Sequence, residues 1–256
     1  MSAATIARLL LVPAAVWLAS LAARRWGHRV SGYLGGMPMI GGPITLFIAL
    51  DHGMEFAARA ATFTLAIIFA QSAHLLAFAW SARRHPWPVA LASGWCSFAI
   101  VAAAVALAAP PLWLAAILGY GGVFAARALL PHPKHEATLP AVPRSELALR
   151  LVAAVVLAGA ILWAAAQFGP VVSGVMLSLP VTGSIMPPFT LALYGPDSVA
   201  RLMRGFATGL TGFASFFLVI AWAPAGVATT FLLAIAAALA ALFAASHAPG
   251  IAARAP

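Results

Sequence analysis

Charge is what this sequence has least of. Lys, Arg, Asp and Glu make up 7% of 256 residues, and Asp plus Glu number only 5. A soluble domain carries about 25% charged residues, so a water-soluble globular protein is excluded. The scarcity of polar residues excludes a disordered chain as well. A single cysteine, Cys96, excludes a disulfide framework and a Cys-based metal or redox centre. No Asp or Glu falls inside any long apolar stretch, and there is no Ser-His-Asp set, P-loop or HExxH motif. An intramembrane protease or lipid-modifying enzyme needs such groups, so the chain reads as a non-enzyme without cofactor or metal. Carboxylate-based proton or sodium coupling also lacks its usual residues. The net charge is +9, but the basic residues lie between apolar blocks, which argues against a nucleic-acid partner.

What the chain has instead is grease: 64% of residues are hydrophobic and the mean hydropathy is +1.02. About 20 apolar helical residues cross a bilayer core. Nine blocks qualify, at 5–23, 31–50, 58–80, 87–109, 111–130, 147–168, 171–194, 199–222 and 226–247. Each must be helical, because lipid offers no partner to backbone N–H and C=O groups. The division at 109–111 rests on Pro110-Pro111. The first block has the basic-then-apolar layout of a signal peptide, but it is long for one and a similar block recurs inside the chain. The fold class expected is all-α, a polytopic helical membrane protein of about nine transmembrane helices.

The few charges orient it. Cytoplasmic loops collect Lys and Arg. With the N-terminus outside, the inner loops hold Arg24, Arg25, Arg29, Arg83, Arg84, Arg127, Lys134, Arg144, Arg150, Arg201, Arg204 and Arg254, twelve of the fourteen basic residues. Only Arg8 and Arg59 fall outside, Arg59 in the same outer loop as Asp51 and Glu55. Were 31–50 re-entrant, every later loop would invert. The expectation is N-terminus out and C-terminus in.

An internal repeat organises the blocks. Residues 30–53 read VSGYLGGMPMIGGPITLFIALDHG, and residues 172–195, 142 positions on, read VSGVMLSLPVTGSIMPPFTLALYG. The same register sets Glu55 against Asp197, Arg59 against Arg201, Leu76 against Leu218 and Ala79-Trp80 against Ala221-Trp222. Shared Ser-Gly, Pro, Gly, Arg and Trp at one register indicate duplication. The chain then divides as 1–109, a first four-helix repeat; 110–146, a linker helix and polar cytoplasmic loop; and 147–256, a second four-helix repeat. Four crossings return the chain to its starting side and the linker switches sides, so this 4+1+4 arrangement inverts the second repeat.

The repeated unit resembles the GlpM-like small bacterial membrane proteins, which are single four-helix units. The residues that carry the likeness are the two VSG openings (Val30-Ser31-Gly32 and Val172-Ser173-Gly174), the mid-block Pro38 and Pro180, and Gly53 and Gly195. Glu55 with Arg59, Asp197 with Arg201, and the closing Trp80 and Trp222 complete it. The linker helix and polar loop depart from the single-unit pattern. The resemblance implies a bacterial inner-membrane location and a four-helix unit, and supplies no substrate.

Candidate site residues follow from the shared pattern S-G-x5-P-x2-G: Ser31, Gly32, Pro38, Gly41 and Gly42, then Ser173, Gly174, Pro180 and Gly183. Proline removes a backbone donor and clashes with the preceding turn. The second and seventh blocks should therefore kink or unwind, more sharply with Pro43, Pro187 and Pro188. Broken helices at corresponding places of inverted repeats point to a transport site. Their half-helix N-termini favour an anionic or polar solute. The same small residues also suit close helix packing. Arg59 and Arg201 are candidates for attracting anions at the two mouths, or for pairing with the acids four residues earlier. Gln71 and His74 share one face of the third block, a polar pair in mid-membrane. His132, Lys134, His135 and Glu136 read as a solvated loop rather than a metal site.

The partners expected are the lipid bilayer and a small solute; monomer and homo-oligomer both fit. The leading reading is a transporter or channel with its pathway between the inverted repeats. The competing one is a non-transporting scaffold or accessory subunit that binds lipid or a partner protein.

Overall fold

The computed structural model describes residues 3–134, 148, 152, 156, 179–222 and 225–247. Every regular element among them is an α-helix: α1 Ala3–Gly36, α2 Gly41–His52, α3 Met54–Ser81, α4 Trp87–Ala108, α5 Leu112–Leu129, α6 Val181–Trp222 and α7 Val227–His247. Six stretches are long and apolar enough to cross a membrane, the first running from Trp17 to Leu50 through α1 and α2. The block at 147–168 and most of the one at 171–194, with Ser173 and Gly174, lie outside the described residues.

Three sequence expectations need correction. Residues 24–30 are not a loop: helix continues on both sides of Gly27, which alone departs from helical geometry (φ 83°, ψ 173°). Residues 195–198 likewise shrink to Gly195 (φ 77°, ψ 179°), with Pro196 opening the next helical piece. Proline at a first helical position costs nothing, because its missing N–H has no intrahelical acceptor there. Finally, Pro187 and Pro188 do not break their helix. Leu179 and Pro180 are non-helical and α6 begins after them, while the two prolines leave the carbonyls of Gly183 and Ser184 without their usual i+4 donors.

The expected break in the second block is present. α1 ends at Gly36, residues 37–40 are non-helical, and α2 restarts at Gly41. Gly53, between α2 and α3, has φ 85° and ψ 162°. That is nearly the conformation of Gly195, 142 residues on, and is one reserved for glycine.

α3 and α6 form the centre. Their most apolar windows are 61% and 72% buried, against 28%, 28% and 22% for α4, α5 and α7. α4 packs on α3, α7 packs on α6, and α3 and α6 touch each other. The outer helices turn Ile100, Leu107, Trp113, Ile117, Leu232 and Phe243 outward, as lipid-facing surfaces do.

Lipid tails are as apolar as leucine, so helices associate through close packing rather than water exclusion. Gly32 and Gly36 of α1 lie against Gly205 and Gly209 of α6, so close that a Cβ on any of the four would collide with facing backbone. On the other flank, a Cβ on Gly119 of α5 would come within 2.7 Å of the Leu65 carbonyl, and one on Gly122 within 2.9 Å of the Phe69 Cα. The hydroxyls of Thr45, Thr62, Thr64, Ser184 and Thr208 donate to the carbonyl four residues earlier, which satisfies them within their own helices.

Polar contacts tie several helix ends together at one end of the bundle. Trp80 Nε1 donates to the Leu129 carbonyl at 3.0 Å and Arg204 to the Leu130 carbonyl at 3.1 Å. Arg127 donates to the Ala245 carbonyl at 2.9 Å, and the Lys134 N–H to Asp197 at 3.2 Å. These contacts join the ends of α3, α5 and α7 to α6.

Candidate functional site

His74 lies in the interior of α3 and is fully buried. Its ring is edge-on to Trp95 of α4 (centroids 6.2 Å apart, planes at 84°) and tilted against Phe78 (6.4 Å). Two glycines make room for it. A Cβ on Gly94 of α4 would stand 2.9 Å from the ring, and one on Gly183 of α6 would stand 3.6 Å from Nε2. The ring therefore bridges α3, α4 and the first turn of α6, just after Pro180. Among the described residues neither ring nitrogen completes a hydrogen bond; the Gly94 and Gly183 backbones come near it without reaching normal geometry.

A neutral imidazole carries one donor and one acceptor. Leaving a buried polar group unmet costs about 1–3 kcal/mol. Two more buried hydroxyls lack partners among the described residues, Ser72 Oγ of α3 and Thr190 Oγ1 of α6. Thr190 lies seven residues beyond Gly183, two turns along the same helix face. The Gly183 carbonyl, deprived of its i+4 donor by Pro187, is a further acceptor beside the ring.

The structure thus brings His74, Pro180 and Gly183 together; the sequence had named all three but not their contact. Pro180 is buried, and its carbonyl accepts from Ser184 Oγ at 2.8 Å. Gln71 is partly buried on the same helix as His74. The repeat register sets Phe213 and Phe216 opposite Gln71 and His74, and these phenylalanines meet the other break. A Cβ on Gly42 would lie 3.3 Å from Phe216, and one on Gly41 would lie 3.3 Å from Phe217 and 3.7 Å from Phe213.

Between that first break and α6 and α7 lies a groove of about 280 Å³ lined by Met37, Pro38, Leu46, Phe216, Phe231 and Leu239, among others. Its walls are apolar, so it offers no hydrogen bond to a polar solute.

Other candidates take structural roles. Gly32 is a packing residue of the α1–α6 seam. Ser31 is buried, its hydroxyl 3.9 Å from Met186 Sδ. Arg59 pairs with Glu55 at 2.9 Å, both well exposed, which favours the pairing alternative over an anion-attracting one. Arg201 is partly buried on α6. No cluster of metal-binding side chains occurs among the described residues. His132 is exposed; the Arg204 charge, and to a lesser degree burial, lowers its pKa from the ordinary 6.5.

Gly94, Trp95 and Thr190 were not foreseen. They lack any motif, and only the packing of α4 and α6 on α3 reveals them. No protein-family model, curated protein or solved structure matches this chain.

Proposed function

We propose that the chain is a membrane transporter or channel for a small solute, with the pathway passing the broken helices beside His74. In this reading it has nine crossings in a 4+1+4 inverted duplication of a GlpM-like unit, lies in a bacterial inner membrane, and has its N-terminus outside and C-terminus inside. The observation that carries the reading is His74: a fully buried imidazole, unbonded among the described residues, against the start of α6 at Gly183, just after Pro180. Polar groups in a membrane interior are costly and mark ion or solute pathways, and broken helices in paired repeats are where such pathways are built. The matching conformations of Gly53 and Gly195 support the duplication, as do the exchanged contacts of Gly41 and Gly42 with phenylalanines and of Gly183 with His74.

Cysteine scanning of 31–43 and 173–188 in a Cys96→Ser background tests it. Aqueous thiol reagents should reach the positions flanking Pro180 from both sides of the membrane. Uniform protection from either side would rule out a pathway.

The scaffold reading is favoured by one observation, the wholly apolar groove at the first break, which suits an acyl chain better than a solute. Under it, Pro38→Ala and Pro180→Ala should leave function intact. Under the transport reading, Pro180→Ala should abolish flux in proteoliposomes.

A further inference from the structure

Three arginines from three helices lie at the basic end of the bundle: Arg29 of α1, Arg127 of α5 and Arg204 of α6. Two are fixed by helix-end carbonyls. Arg127 holds the Ala245 carbonyl in the last turn of α7, and Arg204 holds the Leu130 carbonyl that caps α5. Arg29 reaches the same place because α1 and α6 are in backbone contact there: the Arg29 carbonyl touches Gly205, next to Arg204. Burial is the main electrostatic influence on Arg127 and Arg204, and the Arg29 charge acts on both. Arg29 also stands over the Tyr33 ring at 6.0 Å. His132, on the segment after α5, feels Arg204 as well.

Nothing among the described residues neutralises them. Glu55 is paired with Arg59, and Asp197 accepts from the Lys134 N–H. A guanidinium does not deprotonate in a protein and carries five N–H donors. Arg127 and Arg204 each use one on a carbonyl, and both side chains are only half-buried, so further donors remain on each. Two held guanidiniums and a third within reach match the several oxygens of a phosphate, which arginine grips bidentately. Trp26 and Trp80, both exposed near this end, suit the level of lipid headgroups.

We infer that Arg29, Arg127 and Arg204 form a binding site for a phosphate-bearing anion, either a lipid headgroup or a free phosphate. The site stands on different residues from the His74 pathway and holds whether or not that pathway conducts.

The test is thermal unfolding of the whole protein with two probes. One is inorganic phosphate against chloride at matched ionic strength in a neutral maltoside detergent. The other is phosphatidylcholine vesicles with and without phosphatidylglycerol. Saturable stabilisation by phosphate alone identifies a soluble anion, and by phosphatidylglycerol alone a headgroup; both support the site. Arg29→Gln, which disturbs no helix-end carbonyl, should weaken the effect about tenfold. Arg204→Lys should weaken it too, because the fork is lost while the charge stays. Arg83→Gln with Arg84→Gln, at the same end but outside the cluster, should leave it unchanged. Three results would overturn the site. One is absence of stabilisation by either probe. Another is equal weakening in the Arg83/Arg84 control. The third is stabilisation that emerges only when Glu136→Gln and Glu146→Gln remove the chain's own acids.

Discussion

His74 is fully buried, and among the described residues neither ring nitrogen completes a hydrogen bond, an arrangement that costs roughly 1–3 kcal/mol. His74→Leu keeps nearly the same volume and removes the unmet groups. The variant should unfold in detergent at the same temperature or higher, with stability raised by about 1 kcal/mol, yet carry no flux in proteoliposomes. Full flux in that variant would place the pathway elsewhere. At the basic end, His132 binds its proton less readily in the folded chain than in the unfolded one because Arg204 repels it. The unfolded chain therefore takes up protons first as pH falls. The resulting cost to stability is absent well above pH 6.5 and grows as pH drops below it. Arg204→Gln should raise the His132 pKa toward 6.5, read as a shifted histidine resonance in an NMR titration.

At the scale of helices, glycine decides where chain turns and where chain touches. Gly53 and Gly195 face open space, so a Cβ would meet nothing, but their positive φ with extended ψ strains any side-chain-bearing residue. Gly53→Ala and Gly195→Ala should each lose about 1–3 kcal/mol, and by similar amounts because the two conformations match. Gly205→Ala fails for the opposite reason. Its φ is unremarkable, but the new methyl would strike the Arg29 carbonyl. A loss of about 1–3 kcal/mol is expected, with α1 displaced from α6. Thermal unfolding of the three variants measures all of this.

At the scale of the molecule, the described residues hold six apolar stretches of membrane-crossing length, four of them around a centre made of the other two, α3 and α6. Single cysteines at 24 and 84, in a Cys96→Ser background, should be labelled from one side of the membrane, and one at 226 from the other. If the basic end is cytoplasmic, a reporter fused after Pro256 stays inside the cell. Labelling of 24 and 84 from opposite sides would break the shared basic end.

Composition and periodicity determined much of this by themselves. A charge-poor, apolar chain must be helical in lipid, because backbone groups there have no other partners. Gly, Pro and the 142-residue register were enough to locate the break after Gly36 and the pairing of Gly53 with Gly195. Helical lengths were less legible. Gly27 and Gly195 each turn the chain in a single residue, and Pro187-Pro188 sit in continuous helix, since neighbouring helices can hold what local propensity would break. Only the tertiary structure decided who meets whom. His74 against Gly183, and the Arg29 carbonyl against Gly205, are contacts between residues far apart in the chain. Their geometry is set by how closely glycine lets α1, α4, α5 and α6 approach, which no local pattern records.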